Sequence, residues 1–479
     1  MTAAAQTAFV APAPSPALPP PVAASGPIGW LRANLFSTPY NAALTVICGL
    51  LVIWVAQWLT NFLLTDAVWG GADRQACLAT PGRPEVGACW AFIRTYINFF
   101  LYGSYPVDER WRVDIFFAAL AIGIAWLMWL DAPRRQIGGA YFFLYFPFVS
   151  FYLLAGGRME RFLIGRTAAL LDAIANQVTE FGANALGRLL HLAFLPVTAL
   201  AGLIYSSPAP LWIDFGLTGL LCVFAARLLA GRRAALYAIG AFAVLAVTIK
   251  VFALDTTGLP KVDTSQWGGL LVTLVVAAVG IVASLPLGIV LALGRRSSMP
   301  AVRILSVIFI EFVRGVPLIT VLFMASVMLP LFVPESWSPD KLLRALVGVA
   351  LFSAAYMAEV VRAGLQAIPR GQFEAAMAVG LSYWQSMRLV ILPQALKITI
   401  PNIVNSAVGL FKDTTLVFIV GIVDLLKAVE VARVDPRWAT PVTSATGYAF
   451  VAMIYLLSCY GMSRYARYVD ARLARGEGR

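Results

Sequence analysis

At 479 residues, with 60% hydrophobic and 13% charged side chains and a mean hydropathy of +0.80, the chain lies far from the soluble balance of roughly 45–50% apolar and 25% charged. Its formal charge of +12 does not point to nucleic acid, because basic residues cluster beside apolar runs at Arg134-Arg135, Arg232-Arg233, Arg295-Arg296 and from Arg464 to Arg479. Such clusters mark the cytoplasmic ends of membrane spans, with contact to anionic membrane lipid as a by-product.

Residues 1–37 read as an Ala/Pro-rich cytoplasmic tail. Thr2 to Pro27 carries no charged side chain, unlike a secretory signal with its basic start, and is expected to be disordered. Crossing a hydrocarbon core of ~30 Å takes roughly 17–25 helical residues. Segments of that kind run near 41–64, 113–130, 137–155, 211–229, 234–254, 268–294, 303–331, 342–364, 398–423 and 445–464. Lipid-facing backbone must satisfy its own hydrogen bonds, so the fold class expected is all-α, a polytopic membrane protein of about ten transmembrane helices. The expected divisions are 38–155, N-terminal spans with an external loop 65–112; 156–254, with interfacial and membrane segments; 255–466, a C-terminal group of spans; and 467–479, a basic cytoplasmic tail.

Parity constrains the middle. With Arg295-Arg296, the stretch Glu374 to Pro393 and the C-terminal arginines inside, the last five spans alternate correctly from an external start at Asp255 to Gln266. Agreement with the N-terminal spans then requires an even number of crossings within 156–210. That stretch holds one good apolar segment, Leu189 to Tyr205, and a charged one, Arg158 to Arg188, so either both cross or neither does. We expect neither, with 159–188 an amphipathic interfacial helix and 189–205 shallow or re-entrant.

Chemistry-bearing residues are few. Cys48, Cys222 and Cys459 lie in apolar spans, where a thiol behaves as a small hydrophobe. Cys77 and Cys89 share the external loop, where a disulfide would pin a stretch containing Gly70-Gly71, Pro81, Pro84 and Gly87; two free thiols are the plain alternative. His191, the sole histidine, sits at the edge of an apolar segment, so no metal site, catalytic site or cofactor is expected. No Gly-Lys dipeptide occurs, and a phosphate-binding loop needs one. Any ATP hydrolysis must come from another polypeptide.

Charges inside spans are costly and invite a functional reading. Glu311 and Arg314 are three apart, as are Glu359 and Arg362, so each pair can neutralise itself on one helix face. For Glu359 and Arg362 a structural ion pair is the expectation. Lys412, Asp413 and Thr414 lie within the span 398–423, with Asn405 and Asn402 roughly two and three turns earlier. Glu311, Arg314, Asn405, Lys412, Asp413 and Thr414 are therefore candidates for a polar translocation path, since a zwitterionic solute needs acceptors for its ammonium and donors for its carboxylate. Gly315 and Pro317 are placed to break the second of the last five spans beside that path.

Glu374-Ala375-Ala376, Gly380 and Leu392-Pro393 lie between two long apolar segments. Ala375, Ala376 and Gly380 have minimal side chains, so this helix can enter a partner's groove while Glu374 anchors it electrostatically. The pattern resembles the EAA signature of permease subunits of ABC importers, with Val390 where that signature has Ile. From Leu270 to Tyr465 the chain is similar to the polar and general amino-acid branch of those permeases. The similarity is carried by Ser284-Leu285-Pro286-Leu287-Gly288, Phe312-Val313-Arg314-Gly315-Val316-Pro317-Leu318, Tyr356-Met357-Ala358-Glu359-Val360-Val361-Arg362 and Phe411-Lys412-Asp413-Thr414-Thr415-Leu416. Val316 replaces the family's usual Thr. That variant, with Asp66-Ala67-Val68-Trp69 and Gly87-Ala88-Cys89-Trp90 in the cysteine loop, resembles the M-type permease of general L-amino-acid importers. Residues 157–254 do not align with the usual, shorter subunit.

The resemblance implies a five-helix type I importer core at the C-terminal end, in a bacterial inner-membrane subunit that moves L-amino acids inward by alternating access. It also implies cytoplasmic ABC ATPase subunits, a related permease as heterodimer partner and a periplasmic amino-acid-binding protein. Two other classes compete. An ion-coupled secondary transporter would need no engine and is usually built on internal repeats, of which none is visible. A membrane-embedded transferase would carry clustered Asp, Glu or His at a span end, and no such cluster occurs.

Overall fold

The computed structural model describes residues 27–82, 84–129, 138–139, 141, 145–180, 183–332 and 340–477. Residues 1–26 of the expected disordered tail, Arg134-Arg135 and most of 130–144 lie outside them. Among the described residues regular structure is helical, with β-pairing confined to isolated bridges. Nine helices there have the length and apolarity of a span, and a bent helix pair supplies a tenth. The chain forms two compact units, Met1–Phe92 with Arg437–Thr446 and Ile93–Pro436 with Gly447–Arg479.

In the first unit, α1 (Pro27–Asn34) falls within the expected tail, and α2 (Pro39–Thr60) has no buried residue. The external loop is held by a bond between Cys77 and Cys89, whose Cα atoms are 5.8 Å apart. Trp69 stacks on Trp90 at 5.8 Å. The same loop grips Arg437–Thr446 at both ends of the disulfide: the Arg74 N–H donates to the Arg437 carbonyl, and the Cys89 N–H donates to Thr446 Oγ1, each at 2.8 Å.

In the second unit, α3 (Trp90–Tyr102), α4 (Arg110–Met128) and α5 (Phe146–Ala155) lead into the middle stretch. The expected span 137–155 is described as a regular helix only over α5, whose ten residues rise about 15 Å. Arg112, fully buried, donates to the Pro260 carbonyl at 2.8 Å and pairs with Glu109 at 2.6 Å.

The middle stretch forms α6 (Leu163–Glu180), α7 (Asn184–Tyr205), α8 (Pro210–Ala230) and α9 (Arg232–Val251). α6 is the helix expected over 159–188, and the segment 189–205 lies within α7. α7 is one 22-residue helix with the length and apolarity of a span, uninterrupted by Pro196. α6 runs back along it, with Gly165 against Tyr205 at one end and Gly187 against Thr179 at the other. Arg166 of α6 and Arg161 just before it lie over aromatic rings, Tyr152 at 5.5 Å and Tyr205 at 5.8 Å.

Asp214 binds this stretch together. Its side chain is fully buried and accepts from the first-turn N–H groups of α6, Ile164 at 3.0 Å and Gly165 at 2.8 Å, and from Tyr205 Oη at 2.7 Å and Thr218 Oγ1 at 3.1 Å. The first N–H groups of a helix have no partner of their own, and in hydrocarbon no water supplies one.

The remaining chain is a five-span group: α10 (Gly269–Arg295), α11 (Pro300–Gly315) with α12 (Leu318–Phe323) and α13 (Leu329–Phe332), α14 (Lys341–Ala367), α17 (Leu392–Asp413) and α19 (Pro441–Glu477). The short α15 (Arg370–Ala378) and α16 (Tyr383–Ser386) precede α17, and α18 (Leu425–Ala432) follows it. The second span turns by 106° between Gly315 and Leu318, because Pro317 has no N–H and holds Val316 extended. α10 and α14 pack closely through Gly288, where a Cβ would lie 2.8 Å from Met357. Asp424, buried, caps α18 by accepting from Leu426 and Lys427, and burial pushes its carboxyl up to about 6.

Replacing Asp214 by Leu strands the two α6 N–H groups at ~1–3 kcal/mol each, about 2–6 kcal/mol in total. The variant is expected to unfold at markedly lower temperature in detergent than Asp214→Asn, which keeps one carbonyl acceptor. Equal unfolding temperatures for the two variants would remove Asp214 from this role.

Candidate functional site

Two features of the second unit are candidates for function: a hairpin at the end of α14 and a cavity among the core helices. α14 ends at Ala367 because Pro369 forces Ile368 into extended backbone. α15 then runs to Ala378 and stops in a Schellman arrangement. The Leu381 N–H donates to the Ala376 carbonyl at 3.2 Å and the Gly380 N–H to the Met377 carbonyl at 2.9 Å, with Gly380 at φ +82°. No heavy atom lies within 4 Å of where a Cβ on Gly380 would sit. Within the chain Gly380 is glycine because the cap needs left-handed backbone.

Ser382 opens the second arm through a capping box with Gln385. A π-turn, Met387–Ile391, joins α16 to α17. The Leu392 N–H reaches back to the Met387 carbonyl, and Pro393 follows in the first turn of α17. The wider turn receives a residue that has no N–H to give. Gln394 Nε2 bonds Gln372 Oε1 at 3.2 Å, tying the two arms.

The inner face of the hairpin is apolar: Ala376, Met387 and Ile391 are buried, and Met387 and Ile391 cluster with Ala358, Val361 and Leu365 of α14. The outer face exposes Met377, Val379, Tyr383, Trp384 and Leu389, with Glu374 and Ala375 beside them. An apolar patch on a water-facing element marks an interaction surface. Sequence reasoning missed Met377, Val379 and Trp384; the signal was large apolar side chains on either side of a helix-ending glycine. A groove of about 370 Å³ lies between hairpin and core, lined by Arg296, Leu365, Gln366, Phe373, Glu374 and Met377 among others.

The cavity measures about 450 Å³. Its walls come from α10 (Ile281, Val282, Ser284, Leu285), α14 (Phe352, Ser353, Tyr356, Met357) and α17 (Ile403, Ser406, Ala407, Gly409, Leu410, Asp413), with Leu127 of α4. Pro286 and Pro401 lie inside α10 and α17. Pro286 leaves the carbonyl of Val282, in the wall itself, without its helical donor. Irregular backbone is tolerated at membrane depth where it lines a cavity.

Of the six path candidates, Asp413 lines this cavity. Lys412 and Asn405 are exposed on another face of α17, and no hydrogen bond or ion pair among the described residues joins Lys412 to Asp413. Thr414 is buried and bonds the Phe411 carbonyl at 2.8 Å. The expected pair Glu311 and Arg314 is not made. Glu311 accepts instead from Arg295 at 2.8 Å, while Arg314 lies 3.8 Å from Glu359 and 5.6 Å over the Tyr356 ring. Glu359 does pair with Arg362, at 2.6 Å, but also accepts from Arg295 at 2.9 Å.

Residues 284–475 match the family described as the inner membrane component of binding-protein-dependent transport systems. Over 447 residues the chain is 40% identical to the inner membrane amino-acid ABC transporter permease protein YhdY of Escherichia coli K12, covering 93% of each chain. It is 43% identical over 480 residues to the glutamate/glutamine/aspartate/asparagine transport system permease protein BztC of Rhodobacter capsulatus, covering 99% of each. The 157–254 stretch, which does not align with the usual, shorter subunit, falls within these near full-length alignments. A crystal structure of an amino acid ABC transporter with histidines aligns with 43% of this chain and 92% of that one at 28% identity, with a TM-score of 0.38. These relatives do not favour the ion-coupled alternative. Identity over nearly the whole length shows that the chain belongs to the amino-acid ABC transporter permeases: it is a transmembrane subunit of an ATP-driven amino-acid importer, not an enzyme, and its ATP is hydrolysed in a separate subunit.

Proposed function

We propose that the hairpin Glu374 to Pro393 receives force from a cytoplasmic ATPase and that the cavity beside Asp413 holds the amino acid in transit. The assembly we propose is a pair of related permeases in the bacterial inner membrane, with cytoplasmic ATPases below and a periplasmic binding protein above. Loop 65–112, with its Cys77–Cys89 bond, then faces the oxidising side. The name of the BztC relative supports acidic and amide amino acids as the substrate class.

The observation that carries this reading is the two-faced hairpin. One face is fused to the core through Met387 and Ile391, and the other offers Met377, Val379 and Trp384 to a partner. Gly380 sets the angle between the arms, and placing an L side chain there costs ~1–2 kcal/mol, a factor of roughly five to thirty in the population of that geometry. Gly380→Trp is expected to insert normally, leave basal ATP hydrolysis near wild type and lower uptake about tenfold. Normal uptake at matched permease levels would argue strongly against the hairpin's role.

Asp413 supplies the cavity with a carboxylate that makes no ion pair within 4 Å among the described residues, although the charge of adjacent Lys412 acts on it. It suits a solute ammonium, where a charged hydrogen bond contributes ~1.5–3 kcal/mol. Asp413→Asn keeps the shape and is expected to lower uptake into membrane vesicles about tenfold or more. A double variant, Lys412→Leu with Asp413→Leu, that inserts and transports like wild type would confine both charges to a structural role.

A further inference from the structure

Five charged side chains from three core spans meet between the hairpin groove and the cavity: Arg295 of α10, Glu311 and Arg314 of α11, and Glu359 and Arg362 of α14. Glu359 is the hub. Its Oε1 accepts from Arg295 Nη1 at 2.9 Å, and its Oε2 accepts from Arg362 Nε at 2.8 Å and lies 3.8 Å from Arg314. Arg295 Nη1 also donates to Glu311 Oε1 at 2.8 Å. The Glu359 side chain is 15% exposed against 53% for Glu311, so it is the anion that holds the three guanidiniums together. An i,i+3 pair that only made a helix insertable would need one partner, not three on three helices.

The hub is continuous at both ends. Tyr356, Glu359, Arg362 and Gln366 follow one another at spacings of three, three and four along one face of α14. At the upper end Tyr356 lines the cavity and carries Arg314 over its ring. At the lower end Arg362 Nη1 donates to Gln366 Oε1 at 3.0 Å, and Gln366 lines the hairpin groove. Arg296, next to Arg295, lies 5.5 Å over the ring of Phe373 in the hairpin helix. The hairpin thus touches the cluster from α14 and from α10, while the cluster touches the cavity wall through Arg314 and Tyr356.

We propose that Glu359 is a positioning residue that ties displacement of the coupling hairpin to the cavity wall, by holding α10, α11 and α14 in one charged joint. A shift of α15 moves Arg296 and Gln366, and the joint obliges Arg314, and with it Tyr356, to follow. Contiguity alone does not establish coupling. The proposal rests on the hairpin reading above, so its test must separate the two.

The test uses the whole transporter, purified with its ATPase and binding-protein partners and reconstituted in liposomes, with an equimolar mixture of labelled L-amino acids as probe. Glu359→Gln is expected to keep wild-type basal hydrolysis while amino acid moved per ATP falls about tenfold or more, the scale of one lost charge-assisted hydrogen bond. Adding Arg362→Gln restores the net charge of the cluster but not its bonds. The double variant should stay uncoupled, and recovery of the wild-type ratio in it would overturn the proposal. Should Glu359→Gln fail to accumulate, Glu359→Asp keeps the charge and withdraws it by one methylene. A lowered ratio at full expression supports the proposal, and a wild-type ratio overturns it. Trp384→Asp on the hairpin runs alongside. If it uncouples and Glu359→Gln does not, the joint is refuted and the hairpin stands; if neither uncouples, both fall.

Discussion

The fold depends on one constraint: polar groups at membrane depth have no water to turn to, so each must find its partner inside the chain. That constraint explains why Asp214 gathers donors from three helices. It also explains why the charged joint at Glu359 draws on three core spans and not only on its neighbour Arg362. Where backbone is left unsatisfied by Pro286, it borders a cavity instead of lipid. In the proposed joint, the contacts that satisfy Glu359 across helices are also the ones that tie those helices together.

Much of this was legible in the sequence where the signal is local. Pro317 breaks the second core span because a missing N–H and a fixed φ act within a few residues, and the 106° turn follows. The hairpin was legible for the same reason: small residues, a glycine and a Leu-Pro step punctuate it over a short stretch. The reason given for Gly380 was incomplete. Its identity reports left-handed backbone at a helix end, and a sequence shows the glycine without showing the angle.

What escaped the sequence is long-range pairing. Spacing of three suggested Glu311 with Arg314, yet the partner found by Glu311 is Arg295, on a different helix. Asp214 sits near the start of a span, and only the fold shows its donors some fifty residues away at Ile164 and Gly165. The same holds for Arg166 of α6 and Arg161 just before it, whose cover by Tyr152 and Tyr205 no spacing indicates. Pairwise identity of helix faces, not hydropathy, decides such cases.

The account stands on the outer face of the hairpin meeting the subunit that hydrolyses ATP. The most direct measurement is photocrosslinking of the assembled transporter with a benzophenone amino acid placed at Trp384, and at Leu236 of α9 as control; both side chains are exposed. The account predicts a covalent product between the Trp384 probe and the ATPase subunit, and none from the Leu236 probe. Absence of that product at Trp384, in a complex shown to contain the ATPase and to hydrolyse ATP, would contradict it.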